Sequence, residues 1–198
     1  MRNTFSSPAI GLMLAAIGAC APGPDSSGGE TDGETTVPAS AATRDSAGRG
    51  TRQTASFDIV SSDDRTIGRA DLKDGQSGLL LVVTVEGLSP GLHGLHLHET
   101  GRCGLPDFTS AGGHWAPRGH AHGFLADGGP HAGDLPNLSV PEGATRVEQH
   151  VFADGLSIAR LRDGDGSALI IHAGSDDYRS QPSGAAGARV ACAAITGG

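Results

Sequence analysis

Leu79-Leu80-Leu81-Val82-Val83-Thr84-Val85-Glu86 is followed, after Gly87-Leu88, by Ser89-Pro90-Gly91 and then by Leu92-His93-Gly94-Leu95-His96-Leu97-His98. The first run is apolar and rich in Val, the Ser-Pro-Gly triplet is a turn, and the second run alternates. Two runs of strand length with a breaker between them, and no amphipathic helical pattern in either, predict β-strands. The same texture continues on both sides. Upstream, Phe57-Asp58-Ile59-Val60 and Thr66-Ile67-Gly68-Arg69-Ala70-Asp71-Leu72 are separated by Ser61-Ser62-Asp63-Asp64 and closed by Lys73-Asp74-Gly75. Downstream, residues 146–152, 156–161, 168–172 and 189–195 are expected as short strands between Asp-Gly or Gly-rich segments. The expectation is an antiparallel sandwich or barrel. Residues 99–142 make a loop too long for a hairpin, which is functional or disordered unless a bound metal organises it.

Composition agrees with this reading. Hydrophobic residues are 37% and aromatics 4%, so the core must be Val, Leu, Ile and Ala. The 32 glycines follow no Gly-X-Y period, which excludes collagen and favours many tight turns. A formal charge of −8 excludes a nucleic-acid partner, which requires a basic surface. It also repels an anionic substrate unless positive charge is concentrated locally.

Residues 1–19 read as a lipoprotein-type signal peptide. Arg2 precedes an apolar stretch that Gly11 and Gly18 interrupt, too short and too broken to span a bilayer. Ile17-Gly18-Ala19-Cys20 resembles the lipobox, in which the Cys is lipidated and becomes the first residue. Of the three cysteines, lipidation of Cys20 leaves Cys103 and Cys192, which can form one disulfide. Residues 20–50 are Gly, Ser, Thr, Pro and acidic residues, the composition of a disordered tether between a membrane anchor and a domain at 51–198. The expected location is exported, in the periplasm or cell envelope. Monomer and homodimer both stay open.

Seven of the nine histidines fall between His93 and His131. A lone His is ordinarily a core or surface imidazole. His96-Leu97-His98 differs, because residues two apart on a strand share a face and present two imidazoles together. His114, His122, His131 and Asp134 offer three imidazoles and a carboxylate, a donor set suited to tetrahedral zinc. His172 ends the apolar strand Ala168-Leu169-Ile170-Ile171, where a neighbouring strand could carry it beside His96 and His98. A nitrogen-only set favours copper.

These segments resemble the copper,zinc superoxide dismutases, in particular the exported bacterial branch. The resemblance is carried by Gly91-Leu92-His93-Gly94-Leu95-His96-Leu97-His98-Glu99, Ser110-Ala111-Gly112-Gly113-His114-Trp115 and His131-Ala132-Gly133-Asp134-Leu135-Pro136-Asn137. It continues in Ile170-Ile171-His172-Ala173, Asp176-Asp177-Tyr178 and Gly187-Ala188-Arg189-Val190-Ala191-Cys192. It implies a Greek-key β-sandwich or flattened barrel of about eight strands with long metal-binding and active-site loops. It implies copper on His96, His98, His114 and His172, zinc on His114, His122, His131 and Asp134, and one ion of each per subunit. By the same resemblance Asp176 links a copper-binding to a zinc-binding histidine, Cys103 bonds Cys192, and His93 is structural. Superoxide is the implied substrate, dismuted to dioxygen and hydrogen peroxide, with His114 and Arg189 as the catalytic residues. His120 competes with His122 for the zinc position; nothing local separates them, and the resemblance implies His122, whose spacing from His114 and to His131 matches the family's pattern. Residues 123–130 depart from the family's Gly-Pro pattern, and the loop before Arg189 carries Arg179 but no Lys. A non-catalytic copper binder, a zinc hydrolase and a purely structural lipoprotein are the competing readings.

Overall fold

The computed structural model describes residues 52–197. The signal-peptide, lipidation and tether expectations fall on residues 1–50 and lie outside them. Eight strands form one antiparallel sheet: β1 (Thr54–Ser61), β2 (Thr66–Asp74), β3 (Gly78–Glu86), β4 (Gly91–His98), β5 (Asp134–Val140), β6 (Arg146–Asp154), β7 (Ser167–His172) and β8 (Arg189–Ile195). Their order is β5-β4-β7-β8-β1-β2-β3-β6. The end strands β5 and β6 come back against each other, so the sheet curls into an almost closed, flattened barrel.

Register follows the apolar alternation. On the inward face Leu72 pairs with Leu81, Ala70 with Val83, Leu81 with Val151 and Val85 with Val147. A one-residue slip would turn this set to solvent, so burial itself fixes the pairing. Leu95, Leu97, Leu135, Leu138, Leu169, Ile171, Ala191 and Ala193 fill the rest of the barrel. A second, smaller cluster lies outside it: Phe108 and Ala111 of the long loop pack on Ala168, Ile170 and Cys192.

Two expectations are corrected. Residues 156–161 are not a strand. Ser157 takes an extended conformation, its hydroxyl accepts from the Arg160 N–H at 3.3 Å, and Ile158–Leu161 form a single helical turn, α1. Ile158 and Leu161, three apart, are both fully buried, which is a helical spacing. The long loop is also shorter than expected, because its last part is β5. Pro136 sits in that strand, which is tolerated because β5 is an edge and its ladder to β4 breaks register between His93 and Leu95.

Candidate metal centre

Strand β4 lies between two environments. Leu95 and Leu97 point into the barrel, while Gly94, His96 and His98 face outward, under the two long loops. Those loops bury the imidazoles: His96, His98 and His122 are at most 1% exposed. β7 lies beside β4, pairing Leu95 with Ile171, and so brings His172 to the same end. β8 then pairs Arg189 with His172. His114 is tied to the site by an isolated bridge to His98.

Each of four imidazoles uses one nitrogen for orientation and leaves the other without a partner. His98 Nδ1 donates to Gly112 O at 3.0 Å, and His172 Nδ1 donates to Gly187 O at 3.0 Å. His96 Nε2 donates to Asp176 Oδ2 at 2.8 Å, and His114 Nδ1 lies 2.9 Å from Asp134 Oδ1. The remaining atoms, His96 Nδ1, His98 Nε2, His114 Nε2 and His172 Nε2, are buried with no hydrogen-bond partner. Four buried orphan acceptors are costly unless something binds them. Together His96, His98, His114 and His172 offer four nitrogens within 4.8 Å of one another. Nitrogen donors without thiolate, with their tautomers already fixed from behind, fit copper.

The second set forms around Asp134 Oδ1. His114 Nδ1, His122 Nδ1 and His131 Nδ1 approach it at 2.9, 3.0 and 3.3 Å, and His131 Nδ1 stands 3.4 Å from His114 Nδ1. A tetrahedron with metal–ligand bonds of 2.0–2.1 Å has edges of about 3.3 Å, so this spacing suits zinc. His96 also comes within 4.8 Å of His114, His122 and Asp134. Its Nε2 is held by Asp176, and its Nδ1 belongs to the four-nitrogen set, so His131 is the better fourth member. His120 is exposed, its Nδ1 donating to Pro130 O at 3.2 Å, whereas His122 is completely buried.

Asp176 stands between the two sets, with Oδ2 toward His96 and Oδ1 accepting from His122 Nε2 at 3.0 Å. Burial alone would raise its pKa, but the two imidazoles hold it down at about 2. Asp134 is likewise held well below the usual carboxylate range by His114, against the opposing effect of burial. Burial pushes the imidazoles the other way, His98 down to about 2 and His172 to about 4. At neutral pH Asp134 and Asp176 are therefore anionic and the His98 and His172 rings neutral, the state in which each donates lone pairs. His93 is not part of it: Nδ1 and Nε2 contact His172 O at 2.7 Å and Ser89 O at 2.9 Å.

Arg189 reaches the copper-type set from β8. Nη1 donates to Phe108 O and Nη2 to Gly112 O, both at 2.7 Å. Gly112 O thus orients a candidate ligand, His98, and the guanidinium together. Among the described residues Arg189 forms no ion pair, so its charge stays available to an anion. Cys103 and Cys192 form a disulfide, fixing this loop to β8. The sequence reading missed Phe108, whose ring anchors the loop, and Gly184, against which Asp176 and His122 lie. A large apolar residue within the polar stretch between Cys103 and His114 was the available signal for Phe108; nothing local marked Gly184.

Residues 66–195 match the family described as copper/zinc superoxide dismutase. A protein of Aquifex aeolicus named superoxide dismutase [Cu-Zn] 2 is 40% identical over 144 residues, covering 70% of this chain and 84% of that protein. Among solved structures, a SOD-like protein from Bacillus subtilis is 36% identical with a TM-score of 0.69, covering 72% of this chain and 99% of its own. The Cu/Zn superoxide dismutase from Brucella abortus is 30% identical with a TM-score of 0.62, over 72% of this chain and 99% of its own.

Proposed function

Because the chain belongs to the copper/zinc superoxide dismutase family, we propose that His96, His98, His114 and His172 hold copper, while His114, His122, His131 and Asp134 hold zinc. The protein dismutes superoxide: two superoxide anions and two protons become dioxygen and hydrogen peroxide. Copper supplies the one-electron redox change when bound, and zinc a fixed positive charge without redox chemistry.

The chain's own residues bind the anion and handle protons. Arg189 spends two of its five N–H donors on the Phe108 and Gly112 carbonyls, which leaves part of the planar fork free to hydrogen-bond a superoxide. On a protein of charge −8 this local cation decides whether an anion is retained. His114 borders both metal sets with one ring, Nδ1 on the zinc side and Nε2 on the copper side. Nε2, when not engaged, is the atom that can carry a proton toward reduced oxygen. Asp176 keeps the rings of His96 and His122 oriented.

The observation that carries the assignment is the group of four buried imidazole nitrogens without a hydrogen-bond partner, beside a guanidinium without an ion pair, among the described residues. The test is full-length protein reconstituted with both metals, counted for copper and zinc and assayed for superoxide consumption. Arg189→Ala should keep both metals and lose about tenfold or more in kcat/KM. His114→Ala should lose metal as well as activity. An Arg189→Ala protein as fast as wild type would remove the substrate role; a wild type that holds both metals and does not consume superoxide would sink the enzyme reading, leaving a copper binder.

We also propose export and lipid anchoring at Cys20, with residues 1–19 as leader, 20–50 as tether and 51–198 as the domain. Support comes from Ile17-Gly18-Ala19-Cys20 and from the pairing of the other two cysteines with each other, a bond favoured in oxidising compartments. Cys20→Ser should move the protein from the membrane to the soluble fraction; unchanged fractionation would refute the anchor. A homodimer, the other proposed partnership, would draw on the exposed Phe124, Leu125 and Phe152, and sedimentation velocity decides between it and a monomer.

A further inference from the structure

The backbone ladder does not close between β5 and β6, and one side chain bridges that seam. Gln149 of β6 donates from Nε2 to Asn137 O at 3.1 Å, with Pro136 O farther away at 3.5 Å. Its Oε1 accepts from the Ser139 N–H at 3.2 Å. A carboxamide carries the same donor and acceptor as a peptide group, so Gln149 acts as one rung of the missing ladder.

The residue that receives this rung reaches the metal centre with its own side chain. Asn137 Nδ2 donates to Asp176 O at 2.9 Å, and Asn137 Oδ1 accepts from the Asp176 N–H at 2.8 Å. One side chain thus grips both backbone polar groups of Asp176. The same turn is braced twice more: the Asn137 N–H donates to the Tyr178 hydroxyl at 2.7 Å, and the Tyr178 N–H to Asp176 Oδ1 at 2.7 Å. Asp176 lies between β7 and β8 in a segment with no regular structure of its own. Its carboxylate is nevertheless the group that orients one imidazole of each metal set. Its precision is borrowed from β5.

We propose that Asn137 and, through it, Gln149 are positioning residues of the metal centre: they fix Asp176, and metal occupancy in return orders the β5–β6 seam. The inference rests on the ligand assignment above. Coupling between two equilibria is reciprocal, so a contact that favours metal binding must itself be favoured by bound metal.

The experiment uses the full chain and two measurements: zinc affinity by chelator competition, and hydrogen exchange at the Ser139 amide with and without zinc. Asn137→Ala should weaken zinc about tenfold, the low end for an outer partner of a metal ligand. Asn137→Asp keeps the acceptor for the Asp176 N–H but sets an oxygen against Asp176 O, and should lose at least as much. Gln149→Ala, at the partly exposed seam, should show a smaller loss in the same direction. Zinc should slow Ser139 exchange in wild type and fail to do so in Asn137→Ala. A merely structural role predicts lower melting temperatures with zinc affinity and the zinc effect on Ser139 unchanged, and that result overturns the proposal. A His122→Ala arm reads the ligand assignment by itself. Wild-type zinc affinity there would reject the assignment, whereas loss there with unaltered Asn137→Ala affinity would reject only the positioning role.

Discussion

A methyl group placed on Gly184 would lie 1.7 Å from Asp176 Oδ1 and 2.6 Å from His122 Nε2, on a backbone with φ of +69°. Gly184→Ala should therefore displace the carboxylate between the two metal sets and weaken zinc by about 10- to 100-fold, read by chelator competition. An affinity equal to wild type would mean that Asp176 does not set the ring positions. Phe108 is the second residue with leverage at this scale. It is fully buried in the smaller cluster, and its carbonyl accepts from Arg189. Phe108→Ala should cost about 3–5 kcal/mol of stability in denaturant melts. It should also depress kcat/KM while sparing metal content, since the ring packs on Ala111, Ala168, Ile170 and Cys192 and its carbonyl holds Arg189. The histidine sets were legible beforehand, because His-x-His on a strand puts both rings on one face. Gly184 and Phe108 were not, because what each does depends on a residue more than 60 positions away in sequence arriving beside it, His122 for Gly184 and Arg189 for Phe108.

At the scale of elements, the alternating runs located seven of the eight strands. The eighth, β5, was hidden by Pro136 and by its short Asp-Leu-Pro-Asn start, which reads as turn. That strand carries Asp134 and Asn137, so missing it meant missing how the zinc set is anchored. The opposite error occurred at 156–161, where an apolar run of strand length holds its burial at helical spacing. Ser157 decides it, and Ser157→Ala should cost about 1 kcal/mol, measured as a shift of the chemical-denaturation midpoint. The disulfide joins elements 89 residues apart, and its reduction in the metal-free protein should cost about 4–5 kcal/mol by loop entropy. A much smaller loss would indicate that the loop stays packed through Phe108 alone.

Over the whole molecule, the buried imidazoles set how the metal-free fold responds to acid. His98 and His172 are held near 2 and 4, below their ordinary 6.5, so the folded chain declines protons that the unfolded chain accepts. Stability is therefore complete above about pH 6.5 and falls below it by about 1.4 kcal/mol per pH unit for each such group. The decline from His172 ends near pH 4 and that from His98 near 2. Asp176, held at about 2 against an ordinary 3.8, acts in the same direction only in the more acidic window. Thermal melts of metal-free protein between pH 7.5 and 4.5 should show the midpoint falling steadily. A flat profile would contradict neutral, buried rings.

The Cys103–Cys192 bridge holds together parts that serve different steps. The imidazoles of His96, His98 and His172 are carried on strands and can gather without it. The carbonyls of Phe108 and Gly112 sit on the tied loop, and Arg189 lies on β8, the strand that holds the other end of the bridge. With the thiols reduced, the three strand-borne imidazoles keep their backbone support, while His114, the Gly112 carbonyl that orients His98 and the carbonyls that hold Arg189 lose their covalent tie together. One covalent tie thus makes the loop's hold on both a candidate ligand and Arg189 depend on the oxidation state of two thiols.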